Sequence, residues 1–346
     1  MRKQATIDLR SDTVTLPTQE MIEAITTAKL GDDVYAEDPT VREFEELAAR
    51  KFGKQAALLV PSGTQANLIS LMTNCKRGDL VFLEAQSHIY WYEVGGLSAI
   101  AGLFPWLIET ENGAFGYEQL ENAIRPKNIH FPEASIICVE NTHNRHGGTI
   151  VTPSQLEAIS QVAKNNSLKL YMDGARIFNA AIALDCDVQA LSRHVDNLMF
   201  SLSKGLCCPI GSVLVGSTSF VEKARKTRKI LGGGMRQAGV IAAPGIVALE
   251  KMIPRLKEDH NNAKNLAEGL ATLRGIHINL SLVQTNIVTF DVDPSIIDDE
   301  EFISKLAKQS ILAALQDKNK IRMVTHYGIS KENIEATIAV AGKILS

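Results

Sequence analysis

The sequence predicts an α/β fold: a large domain built on a mostly parallel, seven-stranded sheet, followed by a small C-terminal α+β domain. Three observations lead there. Short apolar runs at 56–60, 80–83, 103–108, 135–139, 168–172, 197–202 and 212–215 lack the polar alternation of a half-exposed strand. Segments of helical period separate them, such as 65–74 and 152–165. Near 248–256 the alternation gives way to a long charged helix, and the rest of the chain mixes strand-like with helix-like stretches.

Taken in order, 56–60 runs into Pro61-Ser62-Gly63-Thr64, a turn that opens the helix 65–74. The runs at 80–83, 103–108 and 135–139 come next, and Pro153 suits the first turn of the helix 152–165. The runs at 168–172, 197–202 and 212–215 complete the sheet. Beyond the charged helix, 285–292 reads as a strand. Phe302, Ile303, Leu306, Ile311, Leu312 and Leu315 fall at helical intervals, 323–327 reads as another strand, and a last helix starts near 331. The division is 1–247 for the large domain and 248–346 for the small one, with the N-terminal segment packing near the site.

Composition narrows the function classes. The chain has 346 residues, 45% hydrophobic and 22% charged, with a formal charge of −3. Near-neutral charge argues against a nucleic-acid or membrane surface as main partner, since either favours a basic excess. Residues 1–10 hold no apolar stretch long enough for a signal peptide, and no run reaches the roughly 18 residues needed to span a bilayer. The five cysteines, Cys75, Cys138, Cys186, Cys207 and Cys208, match no zinc spacing. They read as reduced thiols of a cytoplasmic protein, with no metal site expected.

In open α/β sheets ligands collect beyond the carboxyl ends of the strands. Here 135–139 leads into Glu140-Asn141-Thr142-His143-Asn144, 168–172 into Asp173-Gly174-Ala175-Arg176, and 197–202 into Ser203-Lys204-Gly205. Lys204 leaves an apolar strand, where low dielectric depresses an amine's pKa and makes it nucleophilic. Alone, it also suits a lysine that snorkels to solvent. Asp173 supplies the carboxylate that keeps a pyridine nitrogen protonated; alone, it also suits a helix N-cap. Together they point to pyridoxal chemistry.

Other stretches add to this. Ser62-Gly63-Thr64 at a helix start suits a phosphate, or simple capping by Ser62 or Thr64. His88, beside Tyr90, Trp91 and Tyr92, suits ring stacking or base catalysis, or an ordinary hydrogen-bonded role. Gly232-Gly233-Gly234 before Arg236 permits close backbone approach to an anion, or a flexible loop. Arg10, Arg176 and Arg322 are candidates for a substrate carboxylate, or for surface ion pairs.

The segments 7–15, 31–35, 62–67, 140–144, 173–176, 203–206 and 232–237 resemble, in that order, those of the low-specificity L-threonine aldolases. These are fold-type I enzymes dependent on pyridoxal 5'-phosphate. The resemblance implies cleavage of L-threonine, L-allo-threonine and related β-hydroxy-α-amino acids to glycine and an aldehyde. It implies that Lys204 carries the cofactor as a Schiff base, Asp173 pairs with the pyridine nitrogen, and Gly63 and Thr64 hold the phosphate. His88 would stack on the ring, with His130 a second histidine near the substrate hydroxyl; the base is His88, His130 or water. Ser11, Arg176 and Arg322 would bind the carboxylate, Arg176 also touching the cofactor, and Tyr35 and Tyr92 would contact substrate. Lys229 and Arg236 would lie at or near the phosphate, reaching a neighbouring subunit's site in a homotetramer built as a dimer of dimers. Cys207 and Cys208 depart from the family, which has glycine and then a small residue there. β-Elimination or transamination on the same cofactor, and a non-catalytic relative, remain the alternatives.

Overall fold

The computed structural model describes residues 6–346; residues 1–5, part of the N-terminal stretch read for a signal peptide, lie outside it. Among the described residues the strands are β1 (Ile7–Asp8), β2 (Ala56–Val60), β3 (Leu80–Glu84), β4 (Phe104–Ile108), β5 (Ala134–Glu140), β6 (Lys169–Asp173), β7 (Asn197–Ser201), β8 (Ser212–Gly216), β9 (Ile276–His277), β10 (Ile287–Val292), β11 (Ile311–Leu312), β12 (Ala314–Asp317) and β13 (Lys320–Val324). Seven form one sheet in the order β2-β8-β7-β6-β5-β3-β4. Its pairs are parallel except those made by β8, which runs antiparallel to β2 and to β7.

The apolar runs are continuous because both faces of this sheet are covered. Alternate residues feed two cores: Leu59, Ile137, Leu170 and Phe200 enter one, while Leu58, Ile136, Tyr171 and Met199 enter the other. All seven expected strands form, within two residues of their expected limits at either end.

A second sheet, β12-β13-β10-β9, is antiparallel throughout its ordered pairs and packs with the helices Leu256–Ala271, Asp299–Lys308 and Lys331–Leu345. Two expectations need correction here. Helix Asp299–Lys308 does not continue through Ile311, Leu312 and Leu315, because Ser310 turns left-handed at φ 62° and the chain resumes as β11 and β12. The strand placed at 323–327 is β13, ending at Val324; Thr325 instead turns its hydroxyl to the carbonyl of Asp259.

The N-terminal segment joins this second core rather than the first. β1 pairs with β11, Ile7 and Leu9 are buried among its apolar residues, and Val324 N–H donates to the Leu9 carbonyl. That docking carries the next residues, Arg10 to Thr15, across to the carboxyl ends of the large sheet: Thr15 Oγ1 donates to the Lys204 carbonyl at 2.9 Å. Among the described residues no helix is long and apolar enough to cross a membrane.

Candidate active site

β3 hands the chain to β4 on one side, whereas β5 passes it toward β6 and β7 on the other. Loops leaving β3 and β5 therefore diverge, which opens a crevice at the carboxyl ends. β5 ends at Glu140 and β6 at Asp173, and these two residues are direct partners in the parallel register. A small cleft sits there, lined by Gly63, Asn67, His88, Asp173, Arg176 and Lys204 among others.

Lys204 lies three residues past β7, in a turn that ends with Cys207 at φ 64°. A left-handed backbone favours glycine, so the departure from the family pattern falls where a side chain is least comfortable. Cys207 and Cys208 are both buried and free, and their thiols are pushed up, by burial first. Burial and then the Arg176 guanidinium lower the Lys204 amine to about 8, against the opposing pull of Asp12, Asp173 and Glu140.

Asp173 does not cap a helix; the next one begins only at Ile177. Its Oδ1 accepts the Ala175 N–H at 3.0 Å and its Oδ2 accepts Asn67 Nδ2 at 2.8 Å. Asn67 gives its second amide hydrogen to Glu93 Oε1 at 2.6 Å, and its own oxygen accepts the Tyr171 hydroxyl at 2.7 Å. One buried amide thus fixes two carboxylates, each of which costs stability unless so satisfied.

Glu93 Oε1 also lies 2.9 Å from His88 Nδ1. The His88 backbone N–H donates to Glu140 Oε2 at 2.7 Å, and its ring stacks on Tyr92 with centroids 5.4 Å apart. Burial works against a charged imidazole, but Glu93, Asp173 and Glu140 outweigh it and raise the His88 pKa.

The two arginines near the cleft differ. Arg176 is committed to buried Asp12 through Nε at 2.6 Å and Nη2 at 2.7 Å, leaving Nη1 for Asn144 Oδ1 at 3.2 Å. Arg322 donates from Nη2 to the same Asn144 oxygen at 3.0 Å and from Nη1 to the Arg10 carbonyl at 3.1 Å. Its Nε is buried without a partner, and no carboxylate pairs with it among the described residues. Burial and then Arg176 lower Arg322 to about 10. Ser11 comes directly after the Arg10 carbonyl that Arg322 grips.

At the other end, Ser62 caps the helix Gly63–Asn74, its Oγ accepting the Gln65 N–H at 3.2 Å. The first-turn N–H groups of Gly63 and Thr64 have no partner within the helix. A Cβ on Gly63 would meet Met199 Cε at 2.8 Å.

The structure does not bring every expected residue to this cleft. His130 is exposed on the loop entering β5, at the opposite end of the strand from Glu140. Its neighbours Ile129 and Phe131 line a groove with Leu80, Ala134 and Leu168, where strands begin. Tyr35 is 70% exposed. Arg236 pairs with Asp32 at 2.9 Å, and Lys229 lines a separate cavity with Asp33 and Arg225. Sequence reasoning named neither Asn67, Glu93, Asp12 nor Asn144 as site residues. Asn67 sits one turn beyond Gly63 and Glu93 five residues beyond His88, spacings that mean little until the fold is known.

Residues 8–293 match the family model described as beta-eliminating lyase. The chain is 45% identical over 338 residues to low-specificity L-threonine aldolase 1 of Arabidopsis thaliana, covering 96% of this chain and 94% of that one. It is 37% identical over 336 residues to the low specificity L-threonine aldolase of Escherichia coli, covering 96% and 97% respectively. The solved structure of Leishmania major threonine aldolase superposes with a TM-score of 0.85 at 19% identity, covering 98% of this chain and all of that one.

Proposed function

The chain belongs to the beta-eliminating lyase family, and from that premise we propose that the cleft at Lys204 holds pyridoxal 5'-phosphate and cleaves L-threonine. The protein is a carbon–carbon lyase that converts L-threonine and related β-hydroxy-α-amino acids to glycine and an aldehyde. The observation that carries this reading is the enclosure of an amine with a lowered pKa and a buried, doubly hydrogen-bonded carboxylate in one cleft.

The residues fit the cofactor. An amine, a carboxylate and a helix N-terminus border the same space, supplying one partner each for an aldehyde, a pyridine nitrogen and a phosphate. Thr142 Oγ1 and Arg322 Nε are buried beside it with no hydrogen-bond partner, as groups awaiting a ligand would be. Bound there, pyridoxal phosphate supplies the aldehyde that captures an amine and the protonated ring that draws electrons from a bond breaking at Cα.

This chain's residues do the rest. Lys204 Nζ offers the amine, and Asp173 keeps the proton on the ring nitrogen. Arg322, with Ser11 beside it, takes the substrate carboxylate; Arg176 keeps Asn144 and Asp12 in place around it. Holding the carboxylate restricts rotation at Cα and selects the bond to Cβ for cleavage. His88 takes the β-hydroxyl proton at Nε2, since Nδ1 is tied to Glu93.

The active unit is a homo-oligomer in which Tyr35, His130, Lys229 and Arg236 serve a neighbouring subunit's cleft. None of the four lines the cleft of its own chain, which supports this. Free cysteines, three of them buried, suit a cytoplasmic setting. The test is product analysis with L-threonine: glycine and acetaldehyde in equal amounts are expected, and none from Lys204→Ala. Pyruvate, a keto acid or ammonia as main product would replace the assignment with β-elimination or transamination.

A further inference from the structure

Cysteine spacing led to the expectation of no metal site, but the fold brings two histidines and a carboxylate together. We propose that Glu84, His143 and His146 form a binding site for a first-row divalent cation such as Zn2+, separate from the cofactor cleft. Glu84 is the last residue of β3, and the two histidines lie on the loop beyond β5, the neighbouring strand. One oxygen of Glu84 is 2.9 Å from His143 Nε2 and the other is 3.2 Å from His146 Nε2, and these ligand atoms all lie within 4.8 Å of one another.

The two nitrogen–oxygen separations, the second of which also serves as a hydrogen bond in the absence of an ion, are those of neighbours in a coordination shell. Zinc holds imidazole nitrogens and carboxylate oxygens at about 2.0–2.2 Å, so ligands at the corners of a tetrahedron stand roughly 3.3 Å apart. The donor set, two imidazoles and one carboxylate, is a familiar one for this metal.

The polar accounting points the same way. His143 is fully buried, and neither of its ring nitrogens has a hydrogen-bond partner. Nε2 is near Glu84 but off the line a hydrogen bond needs, as when both groups face a third point. A buried polar atom left without a partner costs about 1–3 kcal/mol, and a cation at that point removes the cost for Nε2. Glu84 is itself held by second contacts, accepting the Gln86 N–H at 2.6 Å and the Thr110 hydroxyl at 3.1 Å. Such outer contacts orient metal ligands.

Access exists as well. Glu84, Gln86, Thr110 and Arg145 line an open cleft of about 510 Å³; Glu84 itself is buried at its floor, so an ion would enter from this side and a water from the cleft would take the fourth coordination position. Asp317 in its wall is paired with Arg145, and Glu109 adds negative charge at the mouth, which favours entry of a cation. The cofactor cleft lies behind: Glu140, which receives the His88 N–H, stands 4.0 Å from His143 Nε2.

The test uses the holoenzyme, stripped of metal with a chelator and dialysed. Titration with Zn2+ by calorimetry, and with Co2+ by its visible ligand-field bands, is expected to show one ion per chain in a tetrahedral or five-coordinate environment. His146→Gln and Glu84→Gln are each expected to weaken binding at least about tenfold, with the cofactor absorbance unchanged; His146 is the safer variant because His143 is fully enclosed. No saturable binding, or binding that both substitutions leave unaltered, overturns the proposal. Octahedral Co2+ bands would also overturn it.

Discussion

Cofactor capture by the protein without cofactor should speed up with pH only as far as pH 8. Lys204 attacks an aldehyde as the neutral amine, and burial with the nearby Arg176 charge lowers its pKa from 10.5 to about 8. At pH 7.5 an ordinary lysine is about 0.1% neutral, whereas one titrating near 8 is about one quarter neutral, an advantage of about 200-fold. The proton sets the sign: below 8 each unit of acid removes about nine-tenths of the reactive form, and above it nothing more is gained. The assay is stopped-flow absorbance of pyridoxal phosphate mixed with the stripped protein, from pH 6 to pH 10. A rate rising about tenfold per unit and levelling near 8 is expected. A rate still climbing in proportion to hydroxide at pH 9.5 would mean that burial does not tune this amine, and the reasoning about its setting would fail.

Three substitutions probe the contacts around it. Asp12→Asn leaves the Arg176 guanidinium buried without its counter-charge, so a loss of about 3–5 kcal/mol is expected, read as a lower midpoint of thermal or denaturant unfolding; an unchanged midpoint would deny that the pair matters. Glu93→Gln removes the hydrogen-bonded charge that helps raise His88, so the acidic limb of kcat/KM should move to lower pH, and a limb that stays put would show that His88 is not the base. Asp173→Asn keeps the shape but not the charge, and kcat should fall about 10²- to 10³-fold, against little change if the carboxylate only supports Asn67.

The large sheet was legible because a strand buried on both faces carries its own signal: runs such as 136–139 are apolar without a break. The C-terminal region was less so, since Ile311, Leu312 and Leu315 keep a helical spacing that only the left-handed Ser310 interrupts. At the site, Lys204 and Asp173 declared themselves by position at strand ends. Their supports did not. Asn67 and Asp12 act through partners 26 to 164 residues away in sequence, and no local pattern encodes a hydrogen bond across that separation. Arg176 shows the same limit: its type suggested a carboxylate ligand, but the carboxylate it holds is the protein's own Asp12.

The most direct measurement is borohydride reduction of the holoenzyme, then peptide mapping with mass spectrometry. One pyridoxyl group per chain, fixed on Lys204, is the expected result. Label on another lysine, or none retained after reduction, would contradict it.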